Sequence, residues 1–203
     1  MRMRYVLVRG AFLVVARPMF ALELRGIEHV PASGAAILVA SHRSWLDPAL
    51  VGAACRRPVR FLILDRLYGW RGGGWFFRFM RTIPVGSSPG QALGAIRAAL
   101  ARLRAGEIIG IFPEGRVFPE ERPGAWRQGV ALLALKSGAP LVPVAIRGSG
   151  LAWPHGRALP RRAPVRVDVG PPFTVHDDEG GRGGVERAAE RIRAVLIELE
   201  RHS

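Results

Sequence analysis

Ser-His-Arg-Ser-Trp-Leu-Asp-Pro, at positions 41–48, is the stretch from which the architecture of this chain is best read. The apolar run at 35–40 precedes it, and the length and the isoleucine and valine content of that run are typical of a buried strand. The apolar residues 49–54, which have a helical pattern, follow it. Asp47 before Pro48 predicts a helix start with Asp47 as N-cap, because proline at the first helical position lacks an N–H that would be unpaired anyway. The stretch therefore predicts a strand, a turn and a helix.

His42 and Asp47 form a candidate acid–base pair within this turn. Along one continuous helix their side chains would point roughly 140° apart, so only an intervening turn lets the carboxylate reach an imidazole nitrogen. Such a contact would fix the tautomer of the ring, stabilise the imidazolium and leave the other nitrogen as a general base. Sites in α/β sheets gather at the ends of strands. The alternative is that Asp47 acts only as a helix cap.

Length and composition restrict the class of protein. The 203 residues suffice for one domain with a sizeable core, and 30 lysines and arginines against 16 aspartates and glutamates give a formal net charge of +14. That excess predicts attraction to polyanions, either nucleic acid or an anionic bilayer surface. Cys55 is the single cysteine, which excludes an intramolecular disulfide and a cysteine-cluster metal site and favours a reducing compartment.

The amino-terminal residues 1–24 are apolar but are repeatedly interrupted by arginine. No uninterrupted apolar run there approaches the roughly 20 residues that a membrane-spanning helix needs. On a helical wheel Arg2, Arg9 and Arg17 fall within a sector of about 80°, which leaves a broad face of valine, leucine and phenylalanine. This pattern predicts an amphipathic helix that lies in the membrane interface and is ended or kinked at Pro18. The alternative is a first helix packed on the domain.

Strand and helix patterns alternate over the rest of the chain. Strands are predicted at 59–64, 83–85, 107–112, 141–146 and 165–169, and helices at 89–103, 129–136 and 185–201. The alternation predicts an α/β fold, a single domain over 25–203 with a mostly parallel, twisted central sheet flanked by helices. Pro84 predicts an edge position for its strand, and the glycines within 180–184 predict a flexible connection. The aromatic-rich segment 65–80 is interpreted either as core or as an exposed apolar rim.

A second polar cluster, Glu114-Gly115-Arg116, directly follows another predicted strand. Residues just beyond the carboxyl ends of strands in an open sheet can converge in one crevice, so we expect this cluster beside His42 and Asp47. A base, a carboxylate, a glycine that permits close backbone approach and an arginine suited to phosphate would together make a compact transfer site.

At these residues the sequence resembles the glycerolipid acyltransferase family, which is typified by 1-acyl-sn-glycerol-3-phosphate acyltransferases. The first motif of that family, His-x-x-x-x-Asp, is matched by His42 and Asp47. The third motif, Phe-Pro-Glu-Gly, is matched by Phe112, Pro113, Glu114 and Gly115. The Val-Pro strand of the fourth motif is matched at 142–144. The order and approximate separation of the motifs also agree, and the resemblance runs from about residue 24 to residue 172.

Two positions depart from the family pattern. The second motif usually places an arginine a few residues beyond a short strand, where it helps to bind the acceptor phosphate, and no arginine stands at that place after 83–85. Arg81 precedes the strand, so it is a poor substitute. Arg116 follows Gly115 directly, where the family commonly has Thr-Arg. Both departures concern the headgroup of the acceptor.

The resemblance implies transfer of a fatty acyl group from a thioester, acyl-CoA or acyl carrier protein, to the hydroxyl of a lysophospholipid. The implied acceptor is 1-acyl-sn-glycerol-3-phosphate, giving phosphatidic acid; the alternative is another lysolipid, such as lysophosphatidylethanolamine or a lyso-aminolipid. His42 would be the general base and Asp47 would orient it. The substrate-binding residues would be Phe112, Pro113, Glu114, Gly115 and Arg116.

No metal and no cofactor besides the thioester co-substrate are expected. The protein is expected at the cytoplasmic face of the cell membrane, peripheral or monotopic, on an anionic surface.

Three other functions fit the sequence less well. A nucleic-acid-binding domain would account for the net charge, but the arginines are spread along the chain and no helix-turn-helix, zinc or RNA-binding signature is present, so nucleic acid is not an expected partner. A serine hydrolase could use Ser41 or Ser44, yet the Gly-x-Ser-x-Gly elbow is absent around both. A catalytically silent membrane-binding module leaves the pair of His42 and Asp47 unexplained.

Overall fold

The computed structural model describes residues 2–115, 126, 128–154, 156–176 and 181–202. Its strands are β1 (Glu23–Arg25), β2 (Ala36–Ala40), β3 (Val59–Leu64), β4 (Ile83–Val85), β5 (Ile108–Ile111), β6 (Leu141–Arg147) and β7 (Arg166–Val169). Its α-helices are α1 (Arg2–Phe20), α2 (Asp47–Ala54), α3 (Gly74–Phe79), α4 (Pro89–Arg104), α5 (Gly129–Ser137), α6 (Ser149–Ala152) and α7 (Gly181–His202). Short 3₁₀ helices cover Ile27–His29 and Asp65–Gly69. Within the described ranges, every helix is too short or too polar to cross a lipid bilayer.

The strands form one sheet in the order β1-β7-β6-β2-β5-β3-β4. Neighbouring strands are parallel except β6 and β7, which are antiparallel, so the predicted mostly parallel α/β sheet is confirmed. β4 lies at an edge, as Pro84 predicts. β2 and β5 are parallel neighbours with Val39 beside Ile111, so their carboxyl ends lie together. The residues that follow these two strands are therefore brought to one end of the sheet.

Apolar side chains fill both faces of the sheet. One core lies between the sheet and the helices α1 and α2, and it contains Leu38, Leu50 and Val142 among its fully buried side chains. The other lies between the sheet and the helices α4, α5 and α7, and it contains Ile109 and Ile192. Alternate residues of the central strands serve opposite faces, which is why their sequences are continuously apolar.

The largest differences from the sequence prediction concern β1, the end of α1 and the start of α7. β1 has no signal in the sequence, because its three residues Glu-Leu-Arg do not form an apolar run. It becomes a strand by pairing with β7. The end of the predicted amino-terminal segment, residue 24, therefore lies inside a strand. α1 continues two residues past Pro18, and the buried Phe20 anchors its last turn. The prediction of a flexible connection is wrong for residues 181–184, which belong to α7 because packing of that helix outweighs the cost of about 1 kcal/mol per helical glycine.

Helix α1 packs on the domain along one side. Tyr5 is buried and its hydroxyl donates a hydrogen bond to the carbonyl of Gly52, at 2.8 Å, and Nε of Arg9 donates to the carbonyl of Ala53 at 2.9 Å. Arg9 therefore faces the domain, whereas the helical wheel separated the arginines from the apolar face. The opposite side of α1 exposes apolar side chains, namely Met3, Val6, Leu7, Val14 and Val15. The helix thus has a packed stripe and a second, uncovered apolar stripe.

The aromatic-rich segment 65–80 is largely exposed. Trp70 and Trp75 are 60% and 65% exposed, and Phe76 and Phe79 are more than a third exposed. The guanidinium of Arg4, on α1, lies over the ring of Phe79 at 5.3 Å. Of the two interpretations of this segment, the structure therefore favours the exposed rim, and it joins that rim to the uncovered stripe of α1.

Candidate active site

The loop between β2 and α2 is wrapped around the carboxylate of Asp47. Oδ2 of Asp47 accepts hydrogen bonds from the backbone N–H groups of Arg43, at 2.6 Å, and Ser44, at 2.7 Å, and it lies 3.0 Å from Nδ1 of His42. The Asp47 side chain is fully buried. The predicted contact between carboxylate and imidazole is therefore present, and the two backbone donors hold the turn that it requires.

Asp47 is not the N-cap that the sequence predicts. It is the first residue of α2, and Leu46 occupies the N-cap position with helical backbone angles and without a side-chain cap. Pro48 does lie in the first turn. The carboxylate turns back toward the loop because three donors converge on it there, so it does not serve the first N–H groups of the helix.

The His42 ring is held on two sides. A carboxylate accepts hydrogen bonds and cannot donate them, so Nδ1 carries the proton that faces Asp47 and the lone pair remains on Nε2. Phe112 stacks on the imidazole, with the ring centroids 4.3 Å apart and the ring planes 22° apart. Phe112, predicted as a substrate-binding residue, therefore also lies against the candidate base, and it restricts the rotation of the ring.

Phe61 extends this stack from strand β3. Its ring lies 5.9 Å from that of Phe112, with 12° between the ring planes. Gly110, on the neighbouring strand β5, makes room for it, since a Cβ at that position would lie 2.4 Å from the Phe61 ring. Neither Phe61 nor Gly110 is among the site residues that the sequence predicts. Their signal is weak, because a phenylalanine and a glycine inside buried strands are read as ordinary core.

Glu114 lies beside His42 and is itself buried, with 7% exposure. Burial raises the pKa of its carboxyl above the ordinary value, and the negative charge of Glu200 raises it further. This shift is opposed by hydrogen bonds from the backbone N–H groups of Glu114 and His42 and by the charge of His42. Oε2 of Glu114 has no hydrogen-bond partner among the described residues. A buried acceptor without a partner can receive a hydrogen bond from a donor group of a ligand, such as a hydroxyl.

The remaining predicted residues are placed as follows. Pro113 is buried, and Gly115 adopts a left-handed backbone conformation with φ of 69°, which closes the turn through a hydrogen bond from its N–H to the Phe112 carbonyl. Arg116 lies outside the described residues. The carbonyl of Arg81 accepts a hydrogen bond from Arg60, whose guanidinium pairs with Glu107, the residue directly before β5. These contacts place Arg81 at that ion pair.

Ser44 is fully buried, and its hydroxyl is engaged on both sides. Oγ donates to the carbonyl of Trp153 at 2.9 Å and accepts from the N–H of Leu46 at 3.2 Å. These contacts give Ser44 a structural role and count against its use as a hydrolase nucleophile. Among the described residues, no three His, Cys, Asp or Glu side chains converge so that they could hold a metal ion.

We expect the Glu114→Gln variant to be more stable than the parent protein near pH 8. A carboxyl whose pKa is raised by folding contributes stability below its unfolded pKa and loses that contribution as the pH rises through the folded pKa. The ionised Glu114 therefore costs stability at neutral pH, and glutamine removes the cost. For a chain of this size each kcal/mol recovered raises the unfolding midpoint by about 2–4 °C.

Thermal unfolding followed by circular dichroism from about pH 4, near the ordinary carboxyl value, to about pH 8 tests this expectation. The advantage of Glu114→Gln should grow with pH, and Glu190→Gln, an exposed position on α7, serves as the control. A difference between the variant and the parent that is independent of pH would contradict the expectation.

Comparisons with known proteins converge on one family. The sequence model of the Acyltransferase family matches residues 21–147, a segment that contains His42, Asp47 and Glu114. A 1-acyl-sn-glycerol-3-phosphate acyltransferase of Bacillus subtilis is 25% identical over 171 residues, which cover 83% of this chain and 82% of that protein. A chloroplastic 1-acyl-sn-glycerol-3-phosphate acyltransferase of Brassica napus is 24% identical over 159 residues, 77% of this chain and 46% of that protein. The chain thus spans about half the length of the plant relative.

A solved structure shares the fold. The crystal structure of the 1-acyl-sn-glycerophosphate acyltransferase PlsC from Thermotoga maritima superposes with a TM-score of 0.71 over 88% of this chain and 72% of the other, at 23% identity. At that identity the likeness concerns the architecture of the sheet and its helices.

Proposed function

The chain belongs to the acyltransferase family, and from that membership we propose that it transfers a fatty acyl group from a thioester to the free hydroxyl of 1-acyl-sn-glycerol-3-phosphate, producing phosphatidic acid. The observation that carries the proposal is the contact of His42 with the buried Asp47, next to Glu114, where β2 and β5 end. The named activities of the Bacillus subtilis and Brassica napus relatives support this acceptor.

His42 is the general base of the proposed reaction. Nε2 removes the proton of the acceptor hydroxyl while the oxygen attacks the carbonyl carbon of the thioester, so that a C–O bond forms and the C–S bond then breaks. The departing thiolate recovers the proton from the imidazolium. Asp47, 3.0 Å from Nδ1, stabilises the imidazolium between these two steps. The thiolate is a good leaving group, so the proposal requires no covalent intermediate on the enzyme, and no metal and no cofactor besides the acyl-CoA or acyl carrier protein thioester.

The acceptor is proposed to bind along the turn that follows β5. The unpartnered Oε2 of Glu114 would accept a hydrogen bond from a hydroxyl of the glycerol, and Gly115 allows the backbone to approach it closely. Arg116 is proposed to pair with the phosphate. Because the arginine of the second motif is missing, a different lysolipid, such as lysophosphatidylethanolamine or a lyso-aminolipid, is the second candidate acceptor.

Incubation of the purified protein with each thioester donor and a mixture of lysolipids, followed by mass spectrometry of the products, tests this proposal. Formation of phosphatidic acid is the expected result. Acylation of another lysolipid in preference would replace the acceptor but keep the reaction. The absence of any acylated product with either donor would contradict the proposal as a whole.

The exposed apolar rim is proposed to bind an anionic membrane surface at the cytoplasmic face of the cell membrane, where the protein would be peripheral. The proposed docking surface combines the rim residues Trp70, Trp75, Phe76 and Phe79 with the adjoining exposed residues Met3, Val6 and Leu7 of α1. Tryptophan is favoured at the boundary between lipid and water, and the guanidinium of Arg4 lies over Phe79 within the rim. The net charge of +14 complements an anionic surface. A rim of this kind would bring the site to a substrate that resides in the bilayer.

We expect the double variant Trp70→Ala and Trp75→Ala to bind vesicles of phosphatidylglycerol and phosphatidylcholine about tenfold more weakly. The reason is that two large apolar side chains are no longer transferred from water into the lipid on binding. Leu93→Ala is the matched control, since Leu93 is 45% exposed on α4, a helix packed on the other face of the sheet. Sedimentation with the vesicles measures the difference. Equal binding of both variants and the parent would contradict this docking surface. These point variants are preferable to deletion of the helix, because Tyr5 is part of the core.

A further inference from the structure

The loop that carries His42 is tied to elements on both faces of the sheet. On the side of α1 and α2, the carbonyl of Trp153 accepts a hydrogen bond from the hydroxyl of Ser44. From the side of α7, Oε2 of Glu200 accepts a hydrogen bond from Nη2 of Arg43 at 2.8 Å. The two charged side chains are only 28% and 22% exposed. An ion pair that is mostly shielded from water is screened less than a surface pair.

The position of Glu200 is itself fixed by the fold. Nη2 of Arg147, the last residue of β6, donates to the backbone carbonyl of Glu200 and, at 3.4 Å, to that of Arg201. Cationic side chains commonly satisfy the last carbonyls of a helix in this way. Leu196 and Ile192, about one and two turns earlier on α7, are fully buried. The carboxylate of Glu200 is therefore presented from a helix end that is anchored to the sheet.

Arg43 connects this helix end to the candidate base. Its guanidinium binds Glu200, and its backbone N–H donates to the same Asp47 oxygen that lies beside Nδ1 of His42. We infer that Glu200 is a positioning residue for the pair of His42 and Asp47, acting through Arg43, and that α7 is part of the active centre. The helix lies outside residues 21–147, the part that matches the family. The kinetic test of this inference rests on the proposed function, whereas the hydrogen-exchange test does not.

Steady-state kinetics of acyl transfer test the positioning role. Glu200→Ala should lower kcat by about tenfold with less than a twofold change in KM, because a displacement of the base impairs proton transfer. Glu200→Gln still accepts the hydrogen bond from Arg43 and should recover most of that loss. Glu198→Ala, an exposed glutamate on the same helix, should match the parent protein. In combination with Arg43→Ala, the effect of Glu200→Ala should be much less than additive.

Two measurements are independent of activity. Hydrogen exchange of the Arg43 and Ser44 amides should be faster in Glu200→Ala than in the parent, while the unfolding midpoint should change by less than about 4 °C. A kcat and an amide exchange equal to those of Glu198→Ala would overturn the inference, and so would a loss of kcat that Glu200→Gln does not restore. If the parent protein transfers no acyl group, the proposed function fails, and the exchange measurement alone then decides whether Glu200 holds the loop.

Discussion

Replacement of His42 by alanine is expected to lower the rate of acyl transfer by about 10³-fold or more, while the fold is retained. General-base catalysis by a positioned side chain is typically worth 10²–10⁴-fold, and alanine cannot accept the proton of the hydroxyl. The imidazole is mostly buried, at 13% exposure, and it contacts Asp47 and the Phe112 ring. The backbone N–H groups of Arg43 and Ser44 still hold the Asp47 carboxylate when the imidazole is removed, so the loop and the fold should be retained.

The measurement is initial-rate kinetics on the acceptor and donor that the product analysis identifies. His176→Ala is the matched control, because it removes an exposed imidazole whose described contact is with the Thr174 hydroxyl. Circular dichroism should show the same secondary structure for both variants. A purified, folded His42→Ala protein that retains a tenth or more of the parental rate would exclude His42 as the base.

Much of the sheet could be predicted from the sequence because its central strands are continuous apolar runs between clear breaks. β3 has the bounds predicted for it, and Pro84 located an edge strand. β1 could not be found in this way, since its three residues become a strand through a partner that is 143 positions away, Arg166 beside Glu23. The glycines at the start of α7 resemble a linker in the sequence, whereas this segment begins a helix that packs on the domain through Ala188 and Ile192.

The site residues likewise fall into those with a local sequence signal and those without one. The spacing of His42 and Asp47 and the tetrapeptide that ends at Gly115 are local signals, and they are close in the structure because β2 and β5 are parallel neighbours. The stack of Phe61 on Phe112 and the contact of Arg43 with Glu200 join residues that are far apart in the chain, up to 157 positions. A single sequence carries no local pattern for such contacts, so they were found only in three dimensions.

Asp47→Asn is expected to lower kcat by about 10²-fold without unfolding the protein. Oδ1 of Asp47 has no hydrogen-bond partner among the described residues, so the new amide group can occupy that position. The remaining oxygen then still accepts from Arg43, Ser44 and Nδ1 of His42. The tautomer and the turn are kept, and what is lost is the negative charge that stabilises the imidazolium. A hydrogen bond to a charged group is worth about 1.5–3 kcal/mol, which corresponds to roughly 10–200-fold in rate.

Asp47→Ala separates the two roles of the carboxylate. Without an acceptor, the buried N–H of Ser44 and that of Arg43 lose their partner, at a cost of about 1–3 kcal/mol for each unsatisfied group, so this variant should lose stability as well as activity. Asp65→Asn, at an exposed position, controls for the loss of one negative charge. Unfolding midpoints and kcat of the three variants together distinguish the contributions. If Asp47→Asn keeps the parental kcat, Asp47 serves only to hold the turn, and the electrostatic half of the proposed mechanism is wrong.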